Sequence, residues 1–222
     1  MPLKPAHHHP WDLAPREARE LQLRLAGKAE LADRFGALER VAGIDIGFEQ
    51  RGAVTRAAVA VLQLSNLELV EHAVARLPTA FPYVPGLLSF REIPAAVQAL
   101  AALEGTADLL MCDGQGFAHP RRFGLACHLG WLMDLPCIGV AKSRLIGTFE
   151  EPGAERGAWS ALTDRGAPLG AALRSRARTK PVFVSQGYRV SLESAIRLAL
   201  ACTGRYRVPE PTRQAHRLAS TP

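Results

Sequence analysis

The chain has 222 residues, 48% of them hydrophobic, and a formal net charge of +6. Its length suits one α/β-sized domain with extensions, and its apolar content excludes a disordered chain. No apolar run reaches the ~18 residues of a membrane-spanning helix, and the first residues have no signal-peptide core.

Residues 1–14 are rich in proline and histidine and read as an irregular arm. His7-His8-His9 suits a solvated loop, a metal site or a tag remnant, with the loop preferred. From 15 to 38, Leu21, Leu25, Leu31, Phe35 and Leu38 recur among charged residues, which predicts an amphipathic helix with Pro15 in its first turn. A break at Gly27 or Gly36 is compatible with this pattern. Residues 41–48 alternate, with Ala42, Ile44, Ile46 and Phe48 on one face of a strand and Gly43, Asp45 and Gly47 on the other. Residues 50–52 predict a turn, and 57–64 and 67–77 two further strands joined at Ser65-Asn66. The core therefore opens as a three-stranded antiparallel meander.

Two prolines stiffen Phe81-Pro82-Tyr83-Val84-Pro85-Gly86 by fixing φ on either side of Tyr83. A helix is predicted from about Pro94 to Leu103, then a buried fourth strand ending at Asp113. Residues 124–133 predict a helix and 136–141 a fifth strand. Beyond a polar loop at 150–157, strands at 168–174 and 181–185 flank a basic turn, and Ser191 caps a helix running to Cys202. Residues 205–217 close the chain as a proline-punctuated basic segment. Cys112, Cys127, Cys137 and Cys202 have no CxxC spacing and read as reduced packing residues of a cytoplasmic protein.

Three antiparallel strands followed by short parallel strands and helices predict an α/β mixed sheet flanked by helices. That order resembles the ribonuclease H-like fold, in which acids on the first strand and at the end of the fourth lie side by side. Asp45 and Asp113 occupy those places. The expected division is an N-terminal arm and helix at 1–40 and a catalytic domain at 41–222.

Asp45, Glu92 and Asp113 are the candidate carboxylates. Asp45 interrupts an apolar strand, where an unpartnered acid is costly to bury. Converging carboxylates can hold Mg²⁺ and leave positions for water and phosphate. A surface acid accounts equally well for Glu92 alone. Lys142 ends the fifth strand, where an ammonium would reach a phosphate. His119 and His216 are candidates for proton transfer or metal binding. Gly86, Gly114, Gly116, Gly124 and Gly139 can expose backbone to a flat base, although turn geometry explains any one of them. Tyr83 suits a wedge between bases.

Several segments together resemble the endonuclease V family of deoxyinosine 3′-endonucleases. They are Val41-Ala42-Gly43-Ile44-Asp45, Pro82-Tyr83-Val84-Pro85-Gly86-Leu87-Leu88-Ser89-Phe90-Arg91-Glu92, Asp113-Gly114-Gln115-Gly116 with His119-Pro120-Arg121, Ile138-Gly139-Val140-Ala141-Lys142-Ser143-Arg144-Leu145 and Pro209-Glu210-Pro211-Thr212-Arg213. The resemblance implies that Asp45, Glu92 and Asp113 bind the catalytic metal, with Lys142 and His216 beside them. It implies that Tyr83 is the wedge and that Gly86, Leu88, Gly114, Gly116, His119, Gly124, Leu125 and Gly139 surround a flipped hypoxanthine. It further implies Mg²⁺, with Mn²⁺ as substitute, and cleavage of the second phosphodiester bond 3′ to deoxyinosine, leaving 3′-hydroxyl and 5′-phosphate ends. Relatives commonly carry Gly-His where this chain has Gly187-Tyr188. Arg121, Arg122 and Arg144 are candidates for phosphate anchoring. Two other readings remain: a ribonuclease acting on inosine in RNA, and a non-catalytic lesion-binding module.

Overall fold

The computed structural model describes residues 3–220. Strands β1 (Arg40–Glu49), β2 (Val54–Gln63) and β3 (Leu69–Pro78) form the antiparallel meander. Gln50, Arg51 and Gly52 make its first turn with φ of 50°, 56° and 93°, which glycine adopts without strain. Strands β4 (Leu109–Cys112) and β5 (Cys137–Ala141) continue the sheet in parallel with β1. Three antiparallel strands extend it: β6 (Trp159–Asp164), β7 (Ala167–Leu173) and β8 (Val182–Tyr188). The order across the eight strands is β3-β2-β1-β4-β5-β8-β7-β6. The expected mixed α/β sheet is present, longer by β6 than the sequence reading.

Alternation divides the core into two layers. Ala42, Ile44, Leu110 and Cys112 face one layer, packed under α2 (Leu88–Ala101) and α3 (Leu125–Met133). Val41, Leu109, Met111 and Ile138 face the other, under α4 (Leu192–Ala201) and α5 (Glu210–Ser220). All four residues of β4 are buried, as expected of a parallel strand covered on both faces. Helix α1 (Pro15–Ala26) adds a satellite cluster of Leu21 and Leu25 against Phe81, Phe90 and Phe123.

Several expectations are corrected. Helix α1 does not reach Leu38: it stops at Ala26 with Gly27 as its C-cap, the earlier of the two breaks the pattern allowed. Residues 28–39 run as irregular chain pinned by side chains: Asp33 accepts from Ser191 N–H at 2.6 Å and from Ser194 Oγ at 2.7 Å. Helix α2 begins at Leu88, so Pro94 lies inside it rather than at its start. Gly86, at φ 78°, turns the chain into this helix six residues earlier than the proline suggested. The closing basic segment contains a helix, α5, with Pro211 in its first turn, where its missing N–H has no intrahelical acceptor to lose. The histidine arm is docked rather than solvated. His7 stacks on Trp131 at 4.9 Å, and His9 Nε2 lies 2.7 Å from Nε2 of buried His128. No described helix is long and apolar enough to cross a membrane.

Candidate active site

The face of β1 carrying Gly43, Asp45 and Gly47 is covered by α5. A Cβ on Gly43 would fall 2.1 Å from the carbonyl carbon of Pro211, so the glycine lets the helix lie directly on the strand. That approach brings His216, on the next turns of α5, to Asp45: Nδ1–H donates to Oδ2 at 2.8 Å. Asp113 follows β4, and its backbone N–H donates to the Ile44 carbonyl at 2.9 Å, which sets it beside Asp45 across the parallel pair. Lys142 follows β5, the next strand over, and its Nζ lies 2.5 Å from Asp113 Oδ2. Ligand atoms of Asp45, Asp113 and His216 all lie within 4.8 Å of one another.

Glu92 reaches the same place from the second turn of α2. Burial pushes its carboxyl up to about 8, reinforced by the negative charges of Asp45 and Asp113 against the opposing Arg91. Asp45 is only 8% exposed, and its pKa is raised by burial and by Asp113, while His216 and Lys142 pull it down. These mutual shifts describe a pocket with more carboxylate than nearby positive charge. A divalent cation with oxygen and imidazole ligands fits that donor set.

Beside the carboxylates lies a cleft of about 370 Å³ lined by Gly86, Leu88, Glu92, Asp113, Gly114, His119, Gly124, Leu125 and Lys142, among others. The N-termini of α2 and α3 both enter it at Leu88 and Leu125, where first-turn N–H groups lack intrahelical acceptors. His119 is 4% exposed and its pKa falls to about 4, first through burial and then through Arg121. Its Nδ1 accepts the Arg121 N–H at 3.1 Å, so the hydrogen resides on Nε2, which donates to the Gly86 carbonyl at 3.1 Å. Tyr83 stands on the Pro82–Pro85 loop with 69% of its surface exposed.

Not every expected residue lies on the cleft wall. A Cβ on Gly116 would sit 2.0 Å from Gln186 O, and one on Gly139 would sit 2.5 Å from Gly114 O. These two glycines let the turn after β4 press onto β5 and β8; they are not among the residues lining the cleft. Arg121 donates to Gly86 O at 2.6 Å and also bonds Gln22, while Arg122 pairs with Asp164 at 2.7 Å. Of the three candidate arginines, Arg144 is the exposed one, with one guanidinium nitrogen on Gly147 O. Tyr188 donates its hydroxyl to Asp134 at 3.2 Å and packs in the core, beside Cys137 at the start of β5.

Sequence reasoning missed Gln22, which enters the cleft wall from α1 and donates to Phe123 O at 2.7 Å. Its position between Leu21 and Leu25 on a buried helical stripe was the available signal. It also missed Gln115, whose Nε2 donates to Ser143 O at 3.0 Å and ties the β4 turn to the β5 turn.

A mixed sheet that sets Asp45 within its first strand beside Asp113, just past the end of the adjacent fourth, frames a site suited to phosphodiester chemistry with a divalent cation. The profile of the Endonuclease V family matches residues 23–217. The Endonuclease V of Azotobacter vinelandii is 54% identical over 95% of each chain. Its counterpart from Streptomyces avermitilis superimposes with a TM-score of 0.90 at 45% identity, covering 94% of this chain and 92% of that one. The Ciona intestinalis Endonuclease V, solved with DNA containing an inosine followed by a ribo-adenosine, gives 0.80 at 27% identity over 92% and 95%. This chain belongs to the Endonuclease V family of nucleases.

Proposed function

We propose that the protein recognises deoxyinosine in DNA and hydrolyses the second phosphodiester bond 3′ to it, leaving 3′-hydroxyl and 5′-phosphate ends. The observation that carries this reading is the shared cleft: one wall carries Glu92 and Asp113, the latter a member of the Asp45–Asp113–His216 cluster, together with the first turns of two helices. Mg²⁺, or Mn²⁺ in its place, would be held by Asp45 and Asp113, with Glu92 and His216 beside them. When bound, such an ion lowers the pKa of water and stabilises the leaving oxygen.

The chain's own groups supply the rest. Tyr83 enters the base stack and fills the gap left by the extruded nucleotide, a step made cheaper because hypoxanthine pairs poorly. The N–H groups of Leu88 and Leu125 favour a base with acceptors on its edge. Hypoxanthine presents O6 where adenine presents an amino group. Neutral His119 and Arg121 both donate to the Gly86 carbonyl, so that oxygen does not offer adenine's amino group a free acceptor. Gly86, Gly114 and Gly124 leave room for the base. Lys142 places its ammonium on Asp113 and toward the scissile phosphate, and Arg144 anchors the backbone at the rim. Residues 41–222 form the catalytic unit, with α1 of the N-terminal arm completing the cleft through Gln22.

A second reading, cleavage of inosine-containing RNA, draws on the ribo-adenosine beside the inosine in the Ciona complex. Matched inosine-containing DNA and RNA oligonucleotides, incubated with Mg²⁺ and mapped at the cut, decide between the two. Asp113→Ala should abolish nicking while retaining lesion binding. Undiminished nicking would overturn the metal assignment, and no nicking by the native chain on either substrate would leave a binding module.

A further inference from the structure

The sheet register extends the site beyond the cleft. Ala141 pairs with Phe183, and Val182 pairs with Leu173, so the loop joining β7 to β8 lies at the sheet end where Lys142 sits. With neighbouring strands about 4.8 Å apart, that loop starts roughly 5 to 10 Å from the Lys142 strand, about one and a half to three nucleotides at ~3.4 Å of rise each. Its exposed charged side chains are Arg176, Arg178 and Lys180.

The loop is built to hold its shape. Arg174, 7% exposed, turns inward and donates to the carbonyls of Gly153 and Pro152 at 2.9 and 2.7 Å, to Thr179 O, and to Glu151 at 2.7 Å. Arg178 N–H donates to Ala154 O at 2.9 Å. Ser175 Oγ and Arg207 Nη1 then fasten residues 174–181 to the segment before α5, at 2.5 Å to Arg207 O and 3.1 Å to Pro181 O. That segment exposes Arg205 and Tyr206. The guanidinium carbons of Arg213 and Arg205 lie 4.7 and 5.9 Å from the Tyr206 ring centroid. The acids nearby are partly committed: Glu151 to Arg174 and Glu210 to Arg213, leaving Glu150 and Glu155 exposed on the 150–157 loop. A pinned loop carrying exposed basic side chains, together with the exposed Tyr206 on the segment fastened to it, suits a phosphodiester backbone with stacked bases.

We infer that Arg176, Arg178 and Lys180, with the Arg205–Tyr206 ridge, form a second nucleic-acid contact that grips the strand leaving the cleft. The surface uses phosphate charge and a stacking face rather than base edges, so it adds affinity and register without sequence preference. It rests on the reading of the cleft as a DNA site, and it accounts for basic residues that the cleft does not use.

The test is equilibrium binding of deoxyinosine duplexes across a salt series, without catalytic metal, for the native chain and for Arg176→Ala/Arg178→Ala/Lys180→Ala. On a duplex of about 30 base pairs, the slope of log K against log salt should fall by roughly 2 to 3 in the variant, about 0.9 per phosphate contact. On a duplex trimmed to end about two pairs 3′ of the lesion, short of that contact, native and variant should bind alike. Arg178→Glu, with a melting curve to show that it is folded, should weaken the long duplex in the same direction. Tyr206→Ala should weaken the long duplex and not the trimmed one. An unchanged slope on the long duplex, or equal losses on both lengths, overturns the inference. Failure of the native chain to prefer deoxyinosine duplexes would instead overturn the reading of the cleft, and the native arm reports that separately.

Discussion

The contact between Gly43 and α5 makes the sharpest prediction. In Gly43→Ala the new methyl would lie 2.1 Å from both the carbonyl carbon and oxygen of Pro211, and 2.7 Å from the Thr212 nitrogen. All three are backbone atoms, so no side chain can rotate away; the helix itself must retreat by more than about 1 Å to reach ordinary contact at ~3.5 Å. Overpacking of this kind costs about 1 to 3 kcal/mol, which for a chain of this size lowers Tm by roughly 3 to 10 °C. The same retreat carries His216 away from Asp45, now at 2.8 Å, and loosens the Asp45–Asp113–His216 cluster. Nicking should therefore fall by more than the lost stability explains at a temperature where the variant remains folded. Gly47→Ala is the internal control. Its methyl would meet Ala219 O at 3.4 Å, close to ordinary contact, so both Tm and nicking should change little. If Gly43→Ala kept native Tm and native nicking, α5 would not position the site through this contact.

Other outcomes follow from the same geometry. Tyr83→Ala removes a side chain that is 69% exposed, so Tm should stay within about 1 °C of native while lesion binding weakens; equal affinity for deoxyinosine duplexes would remove the wedge role. The Glu92 pKa of about 8 lies above its ordinary 4.5, so between those values the folded metal-free chain holds a proton that the unfolded chain has released. Its contribution to stability is therefore full below the unfolded value and is lost as pH rises toward 8, by at most about 1.4 kcal/mol per pH unit. Melting curves in chelator should show this loss, Glu92→Gln should flatten it, and an unaltered slope in that variant would refute the assignment. Arg122→Ala breaks the pair with Asp164 and the bond to His119 O, so it should cost about 1 kcal/mol of stability and leave the salt slope of DNA binding unchanged; a fall of one unit in that slope would return Arg122 to phosphate anchoring.

The parts of this fold written in local patterns were readable in the chain. Period-two alternation in β1 put Ala42 and Ile44 on one face and Gly43, Asp45 and Gly47 on the other, and the two core layers follow that division. The places where local signals misled have physical causes. Pro94 looked like a helix start because proline favours the first turn, yet α2 accommodates it mid-helix once Gly86 has turned the chain. The closing segment read only as proline-punctuated and basic, yet Pro209 and Pro211 flank the start of α5. Strand β6 is short and half-exposed, with Trp159 and Ala161 facing solvent, so its apolar pattern is weak without β7 beside it. The glycines divided in a way no spacing could reveal: Gly86 and Gly114 lie on the cleft, whereas Gly116 and Gly139 permit backbone contact behind it. Arg121 and Arg122 bond Gln22 and Asp164, partners 99 and 42 residues away that no local pattern points to.

The pairing of His216 with Asp45 spans 171 residues. Its consequence lies in the order of assembly. The meander and the β4–β5 pair are comparatively local, and an emerging chain can form them first. The cluster is completed only when α5, near the end of the described chain, docks on a strand made near the beginning. Contacts of such long sequence separation form late and slow folding. A partly made chain therefore carries Asp45, Glu92, Asp113 and Lys142 without the helix that brings His216 to them, and the Asp45–Asp113–His216 cluster is complete only once α5 has docked.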